Sequence, residues 1–257
     1  MTAPLYALDD SPTFEWLRLQ TCTSVMDFLR RRHPIHSKEI TLVTADYQTA
    51  GRGQAGNSWE SAAGSNLLFA LLIHPAAIAA DAQFILSQIT ALSLCETLLL
   101  HADGFTIKWP NDIYWENSKI SGTLIENSLS GRRIDDCLIG VGVNINQTAF
   151  RSDAPNPISL RQITGKEHER VFILAEIIHR FKRYYSLLQK GETQSIASAY
   201  MNLLYRRKGY HLYQDLNGVF SARIEGVEPS GHLLLALPDG QTRRYAFKEV
   251  IFLIPED

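Results

Sequence analysis

A glycine-rich run, GRGQAG at residues 51–56, is the feature that most constrains how this chain can fold. Three glycines within six residues disfavour both helix and strand, and they let the backbone turn and approach a ligand closely. Apolar segments typical of strands lie on either side, at residues 40–48 and 67–73. The pattern predicts a loop that joins two strands, either a ligand-binding loop or a mobile surface loop.

The run also matches the dinucleotide-binding fingerprint G-x-G-x-x-G, in which the glycines open a helix whose N-terminus holds a pyrophosphate. Residues 57–64, NSWESAAG, are polar and have no helical apolar period, and the strand after them carries no acidic residue that could hold a ribose. A P-loop is excluded because no Gly-Lys-Ser or Gly-Lys-Thr follows. Arg52 between two glycines favours a binding loop, since its guanidinium can fork onto an oxyanion.

A second run, KWPND at residues 108–112, lies among short predicted strands. Pro110 breaks the alternating pattern before it, and a polar turn is predicted at residues 116–118. The strands predicted around these breaks are residues 105–109, 113–115 and 119–126. A glycine inside a strand often marks close approach of a ligand, so Gly122 and nearby Lys119 indicate a cation beside a bound molecule. On its own, Lys119 would sooner belong to a solvated face.

Hydrophobic periodicity predicts the other elements of the chain. Strands are predicted at residues 14–19 and 134–146, and helices after a Thr23 or Ser24 cap, from an Asp81 cap to residue 100, and at residues 167–189 and 193–205. Several strands with only a few helices, and hairpins among them, predict an α+β fold. Its sheet is expected to be mixed or mostly antiparallel and to be packed by helices.

From about residue 206 the chain changes to short apolar runs separated by turn signals. Asn217-Gly218 and Asp239-Gly240 between such runs are strong hairpin signals. We therefore expect two domains, residues 1–206 and residues 207–257. The second is predicted to be a small all-β module that buries little surface by itself.

Four motifs in this order resemble the catalytic core of biotin–protein ligases: GRGQAGNSW, KWPND, KISGTLIE and GVGVNIN, all within residues 46–146. The resemblance implies a class II synthetase-like catalytic domain, and it implies that the C-terminal module is a Src-homology-like β-barrel. Residues before Phe14 leave no room for the winged-helix DNA-binding domain that some members carry. The short, non-regulatory type is therefore expected.

The resemblance implies a ligase that works in two steps. The carboxylate of biotin attacks the α-phosphate of ATP, which gives biotinyl-AMP and pyrophosphate. A lysine amine of a biotin carboxyl carrier protein then attacks this mixed anhydride. Because the first step brings two anions together, cations must offset the repulsion, and Lys119 and Arg52 are expected to be catalytic. Mg²⁺ is expected to bridge the ATP phosphates with few dedicated protein ligands.

The family's binding positions can be carried over to the residues that match its motifs. Biotin-binding positions fall on Cys22, Thr23, Ser24, Gln48, Arg52, Gly53, Gln54, Lys119 and Gly122. Nucleotide-binding positions fall on Gly51, Arg52, Trp59, Asn111, Asp112 and Asn144. Trp59 either anchors the loop over the labile anhydride or is plain loop packing, and Asp112 could orient Lys119 or a phosphate-bound metal. Asn144 is predicted inside an apolar strand, where a buried amide needs partners, and this favours a site.

Two positions depart from the family pattern. Many members have Ser-Thr-Asn where this chain has Cys22-Thr23-Ser24, which changes how far the first and third side chains reach toward the ureido group. Some members have two arginines where this chain has Gln54-Ala55. Losing those cations could loosen retention of the adenylate or shift charge stabilisation onto Arg52. Gln54→Arg is then expected to change the off-rate of the intermediate, and an unchanged off-rate would contradict this hypothesis.

Composition limits the partners and the compartment. A net charge of −2 predicts no nucleic-acid binding, and polar residues interrupt the apolar stretch 84–100, which predicts no membrane span. The three cysteines lie far apart, the histidines lack ligand spacing and the N-terminus lacks a signal-peptide pattern. A reducing cytoplasm without a His or Cys metal site is therefore expected. A homodimer could form through the strand after Asn146 or through a barrel edge.

Three alternative functions remain open. Lipoate–protein ligases share the fold and the two-step logic, but they resemble this chain less at the KWPND and KISG runs. A non-catalytic small-molecule sensor of the same fold is disfavoured because Arg52, Lys119 and Asn144 are retained. A DNA-binding repressor is disfavoured by the near-neutral charge, and a flat DNA-binding titration would dispose of it.

Overall fold

The larger of two sheets has seven strands and forms the centre of the molecule. The computed structural model of the protein describes residues 14–32, 39–53, 56–151 and 156–254. The strands of the larger sheet are β1 Phe14–Cys22, β2 Ile40–Gln48, β3 Leu67–Ile73, β4 Phe105–Lys108, β5 Asp112–Trp115, β6 Ser118–Ser130 and β7 Arg133–Val143. They follow the order β1-β2-β3-β7-β6-β5-β4, with β1 and β2 parallel and the other neighbours antiparallel. The predicted α+β fold with a mixed sheet is confirmed.

Helices cover both faces of this sheet. They are α1 Val25–Arg32, α2 Phe84–Leu98, α3 Leu160–Thr164, α4 Arg170–Gln189 and α5 Thr193–Asn202. Strand side chains alternate between the faces, so Leu42 packs with the core of α2 and α4 while the adjacent Val43 packs against α1. β3 is apolar throughout and buried along its whole length because both of its faces are covered. Within the described residues, no helix is both long enough and apolar enough to cross a membrane.

Two predicted helix starts are wrong by several residues. Asp81 does not cap α2, because it lies inside a short 3-10 helix, Ala80–Ala82, and α2 begins at Phe84. The polar residues at 167–169 precede α4, which begins at Arg170. Both errors concern residues next to a helix, where the apolar period that defines the helix has not yet begun.

The prediction for the chain after β7 is also corrected. β7 ends at Val143, so Asn144 follows the strand rather than lying inside it. The sequence predicted a strand after Asn146 that could pair with another copy, but the described residues 147–151 and 156–159 form no such strand. The α3 helix was missed, although Ser159 and Gln162 form a capping box at its start.

The C-terminal residues form a five-stranded antiparallel sheet. Its strands are β8 His211–Asp215, β9 Gly218–Val227, β10 Leu233–Ala236, β11 Thr242–Tyr245 and β12 Ile251–Phe252. They follow the order β11-β10-β9-β8-β12. The two predicted turns join β8 to β9 and β10 to β11, and both pairs are antiparallel. Closure of this sheet into a barrel stays a prediction.

The two sheets pack together through the KWPND run. Trp109 is buried, and its indole Nε1 donates to the Gly231 carbonyl oxygen at 2.9 Å. The Trp109 ring meets Phe247 edge-on, with ring centroids 6.1 Å apart. Gly231 packs on Phe84 so closely that a Cβ at this position would lie 2.8 Å from the Phe84 ring. Buried side chains of both sheets form one apolar cluster, so the small sheet is held against the KWPND run.

Candidate active site

A cavity of about 710 Å³ lies between the glycine-rich loop, the larger sheet and a turn of the small sheet. Its floor is formed where β6 pairs with β7, and Gly122 lies opposite Gly142 in this pairing. The indole of Trp59 lies on these glycines. A Cβ on Gly142 would be 2.3 Å from Trp59 Cε2, and a Cβ on Gly122 would be 3.0 Å from Trp59 Cζ3. Both positions therefore need glycine for a flat ring to rest on the sheet.

Trp59 closes the glycine-rich loop onto this floor. Its backbone N–H donates to the Gly51 carbonyl oxygen at 3.0 Å, and Arg52 forms an isolated antiparallel bridge with Ser58. The indole Nε1 is buried and has no hydrogen-bond partner within the part of the chain that the structure describes. An unsatisfied buried donor is costly, so this N–H suits a ligand acceptor in the cavity.

Lys119 lies beside the glycine floor and faces the cavity. Its Nζ donates to Asp112 Oδ2 at 2.7 Å, and the two side chains are 28% and 26% exposed. A Cβ on Gly122 would be 3.3 Å from Lys119 Nζ, so this glycine also makes room for the ammonium group. Asp112 thus orients Lys119, and the ammonium keeps donors for an anionic ligand because it has three N–H groups.

Arg52 connects the glycine-rich loop to α1 and β6. Its Nη1 donates to Asp27 Oδ1 at 3.2 Å, and its Nη2 donates to Glu126 Oε1 at 3.3 Å. Arg30 contacts the same two carboxylates. These two guanidinium groups and two carboxylates, which we call the charge ring, carry no net charge together. Arg52 also lines the cavity, and its side chain is 43% exposed. An oxyanion in the cavity can therefore compete with the two carboxylates for the N–H donors of Arg52.

Asn144 presents an unsatisfied acceptor beside the cavity. Its Nδ2 donates to the Ile158 carbonyl oxygen at 3.2 Å, and its backbone N–H donates to the Ile120 carbonyl oxygen at 2.9 Å. Its side-chain oxygen is buried and has no hydrogen-bond partner among the described residues. A ligand hydroxyl or amine could satisfy this oxygen, because the remaining bonds of Asn144 already fix its orientation.

Gln48 has a structural task as well as a place at the cavity. Its Oε1 accepts a hydrogen bond from the backbone N–H of Val25 at 2.8 Å, which satisfies one free N–H at the start of α1. Gln48 also lines the cavity, so its side-chain amide N–H groups are the atoms it can offer to a ligand.

Residues 18–144 match the model of the Biotin/lipoate A/B protein ligase family. The chain is 32% identical over 207 residues to the biotin–[acetyl-CoA-carboxylase] ligase of Paracoccus denitrificans, and the match covers 77% of this chain and 85% of that protein. The chain belongs to the biotin–protein ligase family. It is also 30% identical over 223 residues to the bifunctional ligase/repressor BirA of Bacillus spizizenii. That match covers 82% of this chain, and the chain spans 66% of the BirA length.

A solved structure of the biotin–protein ligase family shares the fold of this chain. It is the biotin protein ligase from Aquifex aeolicus in complex with biotin and ATP. The TM-score is 0.77 at 24% identity, and the match covers 92% of this chain and 97% of that one. The large mixed sheet packed by helices is therefore common to both proteins.

In this biotin–protein ligase family member, one cavity brings most of the predicted site residues together: Ser24, Gln48, Arg52, Gly53, Trp59, Asp112, Lys119, Gly122 and Asn144. Cys22 and Thr23 line a neighbouring cavity of about 450 Å³ that also includes Ser24. Burial, together with nearby Asp27, raises the pKa of the Cys22 thiol, so Cys22 stays a neutral thiol near pH 7.

Besides Cys22 and Thr23, three predicted residues do not line the larger cavity or cannot be placed. Gly51 packs against the backbone of Trp59, since a Cβ there would be 2.7 Å from the Trp59 carbonyl oxygen. Asn111 is buried and its Nδ2 donates to the Thr123 carbonyl oxygen at 3.2 Å. Gln54 lies outside the described residues.

Several lining residues of this ligase-family site were missed in the sequence. Lys108 Nζ donates to the Tyr114 hydroxyl at 3.1 Å, and burial lowers the pKa of Lys108 and raises the pKa of Tyr114. Lys108 belongs to the KWPND run, so a signal for it was present. Phe247 and Lys248 come from the turn between β11 and β12. Nothing in their local sequence indicates a site.

Proposed function

We propose that this chain is an ATP-dependent biotin–protein ligase that forms biotinyl-AMP and transfers biotin to a specific lysine of a biotin carboxyl carrier protein. The observation that carries the proposal is the convergence of three separate motifs on one cavity: the glycine-rich loop, KWPND and KISG. The named function of the Paracoccus relative, a biotin–[acetyl-CoA-carboxylase] ligase, supports the same reaction and the acceptor class.

The first step joins two anions, and the cavity offers cations for it. In this step a carboxylate oxygen of biotin bonds to the α-phosphorus of ATP and pyrophosphate leaves. Lys119 and Arg52 are the residues proposed to offset the charge repulsion. A cation about 4 Å from an oxyanion contributes on the order of 4 kcal/mol at an effective dielectric constant near 20. Both cations are paired with carboxylates, but the Lys119 side chain is 28% exposed and the Arg52 side chain 43% exposed. Lys119 is therefore expected to contribute more, because water screens its charge less.

Mg²⁺ fits the site as an ion carried mainly by the nucleotide. Within the described ranges, no three His, Cys, Asp or Glu side chains converge to hold a metal ion. Asp112 supplies a carboxylate at the cavity, which is the ligand type that Mg²⁺ takes. We propose that the ATP phosphates and Asp112 would hold it. A bound Mg²⁺ would neutralise phosphate charge.

The second step transfers the biotinyl group to the acceptor. The lysine amine attacks the acyl carbon of biotinyl-AMP, AMP leaves, and an amide bond forms with loss of one proton. The anhydride is labile in water, so it must be shielded until the acceptor arrives. We propose that the glycine-rich loop provides this shield with Trp59 as its anchor, because the Trp59 ring already packs on the glycine floor.

The experiment incubates the purified chain with MgATP and a carrier domain, with biotin in one reaction and lipoate in another, and measures the acceptor mass. We expect a gain of one biotinyl group and none with lipoate. Lys119→Ala is expected to slow the formation of biotinyl-AMP by about a hundredfold. Lys190→Ala serves as the control, because Lys190 is an exposed lysine at the end of α4 and does not line the cavity.

Each other outcome points to a different function. A mass gain with lipoate alone would assign the chain to the lipoate branch of its family. No transfer with either compound, combined with a rise in Tm on adding biotin, would indicate a binding protein without ligase activity. Equal rates for Lys119→Ala and Lys190→Ala would remove Lys119 from the catalytic machinery.

We also propose that residues 207–257 are a separate domain closed into a Src-homology-like barrel, and that two copies form a homodimer. Strands β8–β12 pair only with one another among the described strands, which supports the division. The β4 edge of the larger sheet is covered by residues 203–205, and closing the barrel would pair β11 with β12. Among the described strands, β1 is then the edge left to pair with another copy. Light scattering would measure twice the 28.9 kDa of one chain if the dimer forms.

A further inference from the structure

Among the described residues, four cationic side chains line the cavity, and three of them are already engaged. Lys119 and Arg52 are each paired with carboxylates. Lys108 is largely buried and donates to a tyrosine hydroxyl, and burial lowers its pKa. Lys248 differs from these three because it is exposed, and its ammonium has no hydrogen-bond or ion-pair partner in the described part of the chain. It is therefore the cation most able to meet an added anion.

The backbone at Lys248 is held in a conformation that suits glycine. Its φ is +73°, which lies in the left-handed region that L side chains rarely adopt. In the described residues glycine occupies ten positions of positive φ, so this chain usually places glycine where such a turn is needed. Lysine at this position strains the turn, and within residues 14–32, 39–53, 56–151 and 156–254 no hydrogen bond or ion pair of its side chain offsets the strain. Backbone strain of this kind clusters at functional sites, and Lys248 lines the cavity.

The surrounding turn fixes where Lys248 lies. The backbone N–H of Glu249 donates to the Ala246 carbonyl oxygen at 3.2 Å, and the Ala246 N–H donates to Glu249 Oε2 at 2.6 Å. Phe247 in the same turn contacts Trp109 of the KWPND run. The turn is thus tied both to itself and to the larger sheet, so Lys248 is presented to the cavity from a fixed position.

We propose that Lys248 is a phosphate-binding residue that the small sheet contributes to the active site, and that it contacts the outer phosphates of ATP and the pyrophosphate formed from them. The inference rests on the proposed ligase function. Biotin and the α-phosphate must meet beside Lys119, which is mostly buried, whereas Lys248 is exposed. An exposed cation therefore suits the outer end of the triphosphate, and a charge-assisted contact needs no further partner on the protein.

The test compares three variants of the full chain. Lys248→Gln removes the charge and keeps a polar side chain, Lys248→Arg keeps the charge, and Lys248→Gly removes the charge and relieves the strain. We expect the KM for ATP and the inhibition constant of pyrophosphate to rise about 3- to 5-fold in the Gln and Gly variants, since water and salt weaken a charge contact made by an exposed side chain. The Arg variant should stay within twofold of the wild type. Affinity for biotin without ATP should not change in any of them.

Thermal stability separates the strain from the charge. Lys248→Gly is expected to raise Tm by about 2–4 °C, because glycine adopts positive φ freely, while Lys248→Gln leaves Tm unchanged. If the wild type is active and Lys248→Gln leaves the KM for ATP and the inhibition constant of pyrophosphate unchanged, the role of Lys248 is overturned and the ligase function stands. A wild type that forms no biotinyl-AMP would overturn the ligase function and the role of Lys248 with it.

Discussion

Arg52 shows how the setting of one residue changes its role. Alone between two glycines it would be a free cation for an oxyanion, but the charge ring holds it against Asp27 and Glu126. Its planar guanidinium can donate to both carboxylates at once. Arg52 therefore serves to hold the glycine-rich loop against α1 and β6, in addition to facing the cavity.

Arg52→Lys tests this double role. Lysine keeps the positive charge, but its single ammonium lacks the planar fork that joins the two carboxylates. We expect kcat/KM for biotin to fall about tenfold, which corresponds to roughly 1.4 kcal/mol. Arg30→Ala is the matched control, because Arg30 contacts the same carboxylates and does not line the cavity. Its kcat/KM should stay within about twofold of the wild type. Full activity in Arg52→Lys would mean that charge alone matters at this position.

At the scale of secondary-structure elements, the pairing of β6 with β7 determines the shape of the site. Gly122 and Gly142 face each other across the two strands and leave a flat floor. Gly140 lies two residues before Gly142 in β7, and a Cβ there would be 2.6 Å from Met26 Cγ of α1. In β7, Gly142 thus leaves room for the Trp59 ring, and Gly140 leaves room for Met26 at the start of α1.

Gly142→Ala is predicted to displace Trp59 from the floor. The new methyl would lie 2.3 Å from Trp59 Cε2, and an indole ring cannot bend to avoid it. Overpacking of this kind costs about 1–3 kcal/mol, measured as a loss of the free energy of unfolding in urea. The rate of biotinyl-AMP formation should fall as well, because the loop loses its anchor. Gly226→Ala in β9 is the control, since its Cβ would meet only Leu234 Cδ1 at 3.9 Å. Equal stability of the two variants would show that the ring moves freely.

At the scale of the whole molecule, the small sheet follows the larger sheet in the chain and also contributes residues to the cavity. Its turn brings Phe247 and Lys248 to the cavity, and its Gly231 accepts the hydrogen bond of the Trp109 indole. The Arg206 guanidinium also donates to the Leu253 carbonyl oxygen at 2.7 Å. Loosening the contact between the sheets should therefore impair catalysis as well as stability.

Comparing the free energy of unfolding of Gly231→Ala with that of Gly240→Ala tests the contact between the two sheets. Both glycines have positive φ, +90° and +88°, so each substitution strains the backbone by about 1–2 kcal/mol. Only the Cβ at Gly231 meets another residue, Phe84, whereas the Cβ at Gly240 meets nothing within 4 Å. We expect Gly231→Ala to lose about 1–3 kcal/mol more of the free energy of unfolding than Gly240→Ala. It should also raise the KM for ATP. Equal losses in both would mean that Phe84 moves aside at little cost.

Much of the fold could be predicted from local patterns in the sequence. Strands β2 and β3 were predicted at their observed bounds, because each is a continuous or alternating apolar run between polar or turn residues. The start of α2 was wrong because Asp81 resembles a cap although a 3-10 helix intervenes. Among the site residues, Arg52, Lys119 and Asn144 lie within motifs and were named in advance, whereas Lys108 was overlooked although it belongs to KWPND.

What the sequence by itself determined is the family, the order of the elements and the residues that carry the motifs, since these depend on periodicity and on short runs. Only the tertiary structure decided which of them meet. Trp109 of KWPND bonds to Gly231, 122 residues away, rather than entering the cavity, and Trp59 rather than a side chain of β7 covers Gly142. Lys248 reaches the site only because the two sheets share one apolar core. Contacts between distant segments depend on packing, which no local pattern encodes.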